Sequence, residues 1–261
     1  MGKVRSGFKA AWPVLAGSVL AAAIVAGQVR AQMPAVDPAA ASALKRMTEY
    51  LGGLKQFSVH TQNAVEDLLD SGQRFDELVS ADIVLSRPNK LRVERRGDLI
   101  DQIFYYDGKH LTLYEPDANV YATVDAPPTI EETVEFASSA LGLNVPAADL
   151  IHPDAYPLLM QDVTSAIVIG KSVVGGVACT HLAFRRPGVD FQIWIADSGH
   201  PLPYRYVVTD TSTPALVSIV TVMSEWNVAP SVADDRYTFA PPQGASSIDF
   251  LSPGASAAAS Q

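Results

Sequence analysis

Five imidazoles are available for chemistry, at His60, His110, His152, His181 and His200, and no two lie within four residues of each other. No single helix or strand can therefore present a pair of them to a metal, as local zinc motifs do. A site built from distant strands would need carboxylates such as Asp190 or Glu225, and no spacing argues for one. His181 and Asp190 could in principle share proton transfer in a hydrolase, yet no Gly-x-Ser-x-Gly elbow is present to supply a nucleophile. Ile169-Gly170-Lys171-Ser172 carries the last letters of a phosphate-binding loop. Ser165 stands where the leading glycine is required, however, and no helix is expected to follow. Arg92, Arg95 and Arg96 form the densest basic cluster, with Glu94 and Asp98 beside them, and read as a solvated strand end. Cys179 is the single cysteine. It lies in a strand-like run with only His181 as a basic neighbour, which reads as buried filler, and no intramolecular disulfide can form. The expectation is a protein without catalytic residues, metal or cofactor.

The N-terminus explains where such a chain works. Lys3, Arg5 and Lys9 precede an apolar run from Ala10 to Ala26, and Val29-Arg30-Ala31 offers small residues for cleavage, so residues 1–31 read as an export signal. No cysteine follows the run for acylation, so after cleavage the protein should not be integral to the membrane. Residues 1–31 carry four of the 19 basic residues and no acidic one, which leaves 15 Lys+Arg against 28 Asp+Glu, a net charge of −13. That field opposes nucleic acid and anionic headgroups, since binding either requires neutralising phosphate with Lys or Arg.

The remaining residues alternate in a way that specifies sheet. Lys109-His110-Leu111-Thr112-Leu113-Tyr114 and Val120-Tyr121-Ala122-Thr123-Val124 place apolar and polar side chains on opposite faces. Strands are expected near 57–66, 73–85, 90–96, 100–106, 109–114 and 120–124, then 166–174, 177–185, 190–197, 203–210 and 216–227. Turn chemistry separates them, with Asp70-Ser71-Gly72 and Asp107-Gly108 supplying positive backbone angles. Residues 32–38 read as a linker. A helix should follow through residue 51, capped by Asp37, opened by Pro38, and stopped by Gly52-Gly53. Its Leu44, Met47 and Leu51 make one apolar stripe that must lie against a core. Thr129 and Glu132 have capping-box spacing and open a helical insertion over about 129–160, interrupted by Pro153 and Pro157. Residues 39–250 are thus expected to form one domain, and the Ala/Ser-rich tail at 251–261 to be disordered.

Several matched segments give the chain a family likeness. Arg87-Pro88-Asn89-Lys90-Leu91, Tyr106-Asp107-Gly108-Lys109 and Ala126-Pro127-Pro128-Thr129-Ile130 are three of them. The others are Gly175 to Phe184, Asp190-Phe191-Gln192-Ile193-Trp194-Ile195 and Pro201-Leu202-Pro203-Tyr204-Arg205. Through them the chain resembles the DUF2092 group of predicted periplasmic proteins. That group is similar to the LolA/LolB lipoprotein carriers and to the sensor domain of the RseB/MucB regulators. The resemblance implies an α+β, mainly antiparallel half-barrel of about eleven strands with helices plugging its concave face. It also implies an apolar cavity that could hold a lipid or lipoprotein acyl chain. No carrier-specific polar residue matches, so a sorting role does not transfer. Phe104, Tyr106, Leu111, Leu113, Leu182, Phe184, Ile193, Trp194 and Tyr206 are the residues expected to line the cavity. Trp194 sits in a run apolar on both faces, which predicts a cover on each side of the sheet. The alternative is an envelope partner-binding or stress-sensor protein with a filled core and no small ligand.

Overall fold

The computed structural model describes residues 35–143 and 147–250. The expected export signal and the expected disordered tail lie outside the described residues. Helix α1 (Pro38–Gly53) begins as its sequence requires. Asp37 caps it by accepting from the Ala39 N–H at 2.8 Å, Pro38 occupies the first turn, and Ala40, Leu44, Met47 and Leu51 are buried along one face.

Six strands follow as an antiparallel meander: β1 (Gln56–Leu68), β2 (Arg74–Ser86), β3 (Lys90–Gly97), β4 (Asp101–Tyr106), β5 (His110–Glu115) and β6 (Val120–Asp125). The helical insertion comes next, as α2 (Ile130–Leu141), α3 (Ala148–Ile151) and α4 (Ala155–Met160). Thr129 caps α2 by accepting from the Glu132 N–H at 3.2 Å, while its own hydroxyl donates to the Glu132 carboxylate at 2.9 Å. Gly142 then ends the helix in the left-handed conformation that glycine tolerates (φ 67°). Strands β7 (Ser165–Val174), β8 (Val177–Arg186), β9 (Val189–Ala196), β10 (Pro203–Asp210) and β11 (Ser218–Asn227) complete the second set.

With β12 (Ser246–Ser247), all these strands belong to one open sheet, ordered β12-β6-β5-β4-β3-β2-β1-β11-β10-β9-β8-β7. The long-range step is β1 against β11, which joins the two sets edge to edge. Eleven strands were expected, and twelve are present among the described residues. The addition is β12 (Ser246–Ser247), a two-residue parallel pairing on β6. It carries no apolar alternation, so no local pattern announces it.

Registers define an inner face by parity. Phe57, Val59, Thr61, Asn63 and Val65 of β1 lie opposite Leu85, Ile83, Ala81, Val79 and Glu77 of β2. These continue to Leu91, Val93 and Arg95 of β3, then to Tyr106, Phe104 and Gln102 of β4. Toward the other edge the same face carries Met223 and Thr221, then Tyr206, Ile193, Phe191, Leu182 and Phe184. The apolar sides of α1, α3 and α4 join these residues in one hydrophobic core.

Two expectations about the outer face need correction. Among the described residues, no second layer of helices covers the outer surface around Trp194. His181 stacks on its ring at 3.8 Å and the Arg205 guanidinium lies 5.2 Å from it, so neighbouring side chains shelter the indole. The basic cluster on β3 is not a uniformly solvated end either. Alternation sends Arg92 outward beneath a C-terminal segment and Arg95 inward, and only Arg96 is exposed. Arg92 is 9 % exposed, pairs with Glu94 and lies 5.1 Å from the Tyr105 ring.

Candidate functional site

The β1–β5 half of the inner face is not filled. A cavity of about 200 Å³ lies between it and the helical insertion. Its floor comes from β1 through β5 and β11, and Thr133, Val134 and Ala137 of α2 with Ala148, Leu150 and Ile151 of α3 supply the roof. That volume exceeds the ~150 Å³ apolar cavity that stays dry and takes benzene. It falls below the roughly 300–1,000 Å³ typical of pockets that enclose a whole drug-sized molecule.

Cross-strand rows give the cavity a direction. One end is made by Leu51, Phe57, Leu91, Leu111 and Trp226, and the next row is Val59, Ile83, Val93 and Phe104. Beyond these the floor becomes polar, through Thr61 and Arg95, then Asn63, then Glu77 beside Val65. Thr61 and Asn63 are buried but satisfied. Asn63 donates to Thr61 Oγ1 at 3.1 Å and to the Val79 carbonyl at 3.2 Å, and it accepts from the Thr221 hydroxyl at 2.8 Å. Satisfied buried polar groups avoid the penalty of an orphaned donor. Arg95 lies 5.9 Å from the Phe104 ring, and burial lowers its pKa against the opposing influence of Glu77.

The roof is anchored at defined points. Arg87, in the β2–β3 turn, donates to the Leu54 carbonyl (3.2 Å), pairs with Glu131 of α2, and donates to the Ile151 carbonyl (2.5 Å). One guanidinium thus ties three helical elements to the sheet, using its planar set of five donors. Tyr106 donates to the Pro127 carbonyl at 2.5 Å and Thr133 to the same oxygen at 3.1 Å, which holds the start of α2. Gly52 lets α1 approach the α3–α4 link, since a Cβ there would stand 2.7 Å from the Pro153 carbonyl oxygen. On α3, the Asp149 carboxylate accepts from the Tyr206 hydroxyl at 2.7 Å. Burial raises the Asp149 pKa and, with the neighbouring Asp149 charge, lifts that of Tyr206 well above its ordinary value.

Of the nine residues expected to line a cavity, Phe104 and Leu111 line this one. Leu113 shares their face, opposite Phe104 in the β4–β5 register, but is not part of the lining. Tyr106, Leu182, Phe184, Ile193 and Tyr206 stand in the filled core, and Trp194 is on the outer face. The core residues are taken up by helices and by each other, as in the Phe184–Phe191 stack at 4.6 Å. Sequence reasoning missed Trp226. A bulge between β1 and β11, with Glu225 at φ 54°, places Trp226 against Phe57 at 5.4 Å, and its indole N–H donates to the Pro203 carbonyl at 2.9 Å. No local pattern signals that bulge.

Other candidate chemistry is not assembled. Asp190 is held by Arg185 in a two-point pair (2.8 and 2.6 Å), whereas His181 contacts Gln192 at 3.0 Å. In the β8–β9 register Asp190 faces Arg185 and His181 faces Trp194, four residues apart along the strand, or about 13 Å. Cys179 is buried, and burial raises its thiol pKa. No cluster of three metal-ligating side chains occurs among the described residues. Outside the sheet, a cleft of about 210 Å³ gathers His60, Asp82, Arg92, Glu94, Glu225 and Arg236. Most of these pair within the cleft, His60 with Asp82 at 2.7 Å and Arg236 with Glu94 at 3.4 Å.

The model of a family described as predicted periplasmic protein, DUF2092, matches residues 40–251. The chain belongs to the DUF2092 family. No curated protein matches it in sequence. Among solved structures it is similar to LprF from Mycobacterium bovis, at 16% identity and a TM-score of 0.49, over 76% of this chain and 97% of that one. It is also similar to a LolA superfamily protein from Nitrosomonas europaea, at 12% identity and a TM-score of 0.39, over 77% and 96% of the two chains. A third is the MucA/MucB complex of Pseudomonas aeruginosa, at 14% identity and a TM-score of 0.41, over 77% of this chain and 61% of that one. No helix among the described residues of this DUF2092 member is long and apolar enough to cross a membrane.

Proposed function

We propose that this protein is a non-catalytic periplasmic binding module that shelters an apolar moiety, such as a lipid or a lipoprotein acyl chain, between its sheet and its helical insertion. The observation that carries this reading is the cavity itself. A gap of about 200 Å³ with two successive rows of purely apolar floor is kept beneath a roof that Arg87 anchors. Interiors normally pack to crystal-like density. Leaving such a space empty forfeits contacts that the neighbouring half of the same sheet retains. A hydrocarbon tail recovers them at about 0.8 kcal/mol per buried methylene. A tail of roughly ten carbons then corresponds to micromolar affinity before ordering costs.

Native mass spectrometry of protein purified from envelope extract, followed by delipidation and titration with a fluorescent fatty acid, tests the reading. A lipid-sized adduct and saturable binding are expected. Absence of both would overturn it in favour of a module that binds a protein partner.

A further inference from the structure

The lining of the cavity is polarised, and the polarity points to the kind of molecule that fits. Leu51, Phe57, Leu91, Leu111 and Trp226 close one end with hydrocarbon and indole. About four residues along β1, or roughly 13 Å at strand rise, Arg95 enters the floor beside Thr61 and Ala81. Among the described lining residues only Arg95 and Glu77 are charged, and both lie at this outer end. We propose that the cavity takes a single-chain amphiphile with an anionic head, its carboxylate or phosphate ester paired with Arg95 and its tail running toward Leu51 and Trp226. This inference rests on the apolar-ligand reading above and adds the headgroup chemistry and the direction of entry.

The guanidinium suits the role. Its planar fork matches a carboxylate or phosphate in two-point geometry, and the Phe104 ring beneath it, at 5.9 Å, fixes its place at the border of the apolar rows. It is drawn out of water, since burial disfavours its charged form, so an anion delivered there meets a weakly hydrated cation. Glu77 balances that charge in the present state. A ligand headgroup exchanges for it, because Glu77 stands on the outermost, partly exposed row and can turn to solvent. Asn63 does not compete for the headgroup, as its amide protons are spent on the Thr61 hydroxyl oxygen and the Val79 carbonyl while its amide oxygen accepts from Thr221. A cationic head would meet Arg95 as a like charge.

The test titrates the full-length secreted protein, delipidated, with dodecanoate, dodecyl phosphate, 1-dodecanol and dodecyltrimethylammonium, by displacement of a fluorescent probe. The expected order places the anions about tenfold or more tighter than the alcohol, with the cation weakest; the carboxylate and phosphate arms separate the two head chemistries. Arg95→Gln should remove the anion advantage, so that dodecanoate and dodecanol bind the variant alike, and Glu77→Gln should enlarge it. Equal binding of dodecanoate and dodecanol, or an advantage that survives in Arg95→Gln, would overturn the headgroup assignment while the apolar cavity stands. Binding of none of the four would overturn both. If Arg95→Gln does not fold, the wild-type comparison of acid with alcohol decides alone, and Arg95→Lys, which keeps charge without the fork, should show a reduced advantage.

Discussion

Two halves of one sheet are finished in opposite ways. Over β7–β10, the inner face is sealed: Leu182, Phe184, Phe191 and Ile193 are at most 3 % exposed and share one core with buried residues of α1 and α4. Over β1–β5, the same parity and the same mix of apolar residues border a cavity of about 200 Å³ beneath α2 and α3. The covering residues differ as well. Leu44, Met47 and Leu159 are buried in the core, whereas the cavity roof sets the small Thr133, Ala137, Ala147 and Ala148 among Leu143, Leu150 and Ile151. One half supplies the stability that the other half forgoes.

The sharpest break of that contrast is Phe191→Ala. It removes one member of the Phe184–Phe191 stack in the sealed half and should cost about 3–5 kcal/mol in denaturant unfolding, with no recovery on adding ligand. A paired substitution sharpens it further. Ala166→Leu forces volume into a site with no exposure beside Phe184 and should cost about 1–3 kcal/mol. Ala81→Leu projects into the cavity instead and should change stability by less than about 1 kcal/mol while abolishing probe binding. Equal losses from the two would show that the halves are packed alike.

The smallest expected effect sits where α3, part of the roof, meets the sealed half. Asp149 faces Tyr206 and the charge of Arg186, and burial raises its carboxyl pKa. A folded-state pKa above the unfolded one means that its stabilising contribution is complete below the ordinary value of 3.8 and fades as pH rises through the raised value. Asp149→Asn keeps an acceptor for the Tyr206 hydroxyl and removes the titration. The variant should lose this part of the pH dependence and be at least as stable as wild type near neutrality, as measured by urea unfolding across pH. A pH profile identical to wild type would place the carboxyl in water.

Much of the scaffold is legible from local patterns. The period-two alternation places all eleven long strands within two residues of their observed limits. Asp37 and Thr129 announce two helix starts because capping is a contact between near neighbours in sequence. The site is less legible. Glu94-Arg95-Arg96 reads as a solvated run, yet register with Ala81 turns Arg95 into the cavity. Trp194 reads as doubly buried, yet His181 and Arg205 shelter it from neighbouring strands. Trp226 reaches the cavity only through a bulge that depends on how β11 meets β1.

Sequence alone determined the strands, the turns, the caps and the apolar face of α1, since each depends on interactions within a few residues. It also carried enough turn and strand detail to indicate the family. Only the tertiary structure decided which stretch of the inner face is filled and which is hollow. That outcome depends on how residues more than a hundred positions apart share volume, and no alternation along a single strand records the size of the side chain that will stand opposite.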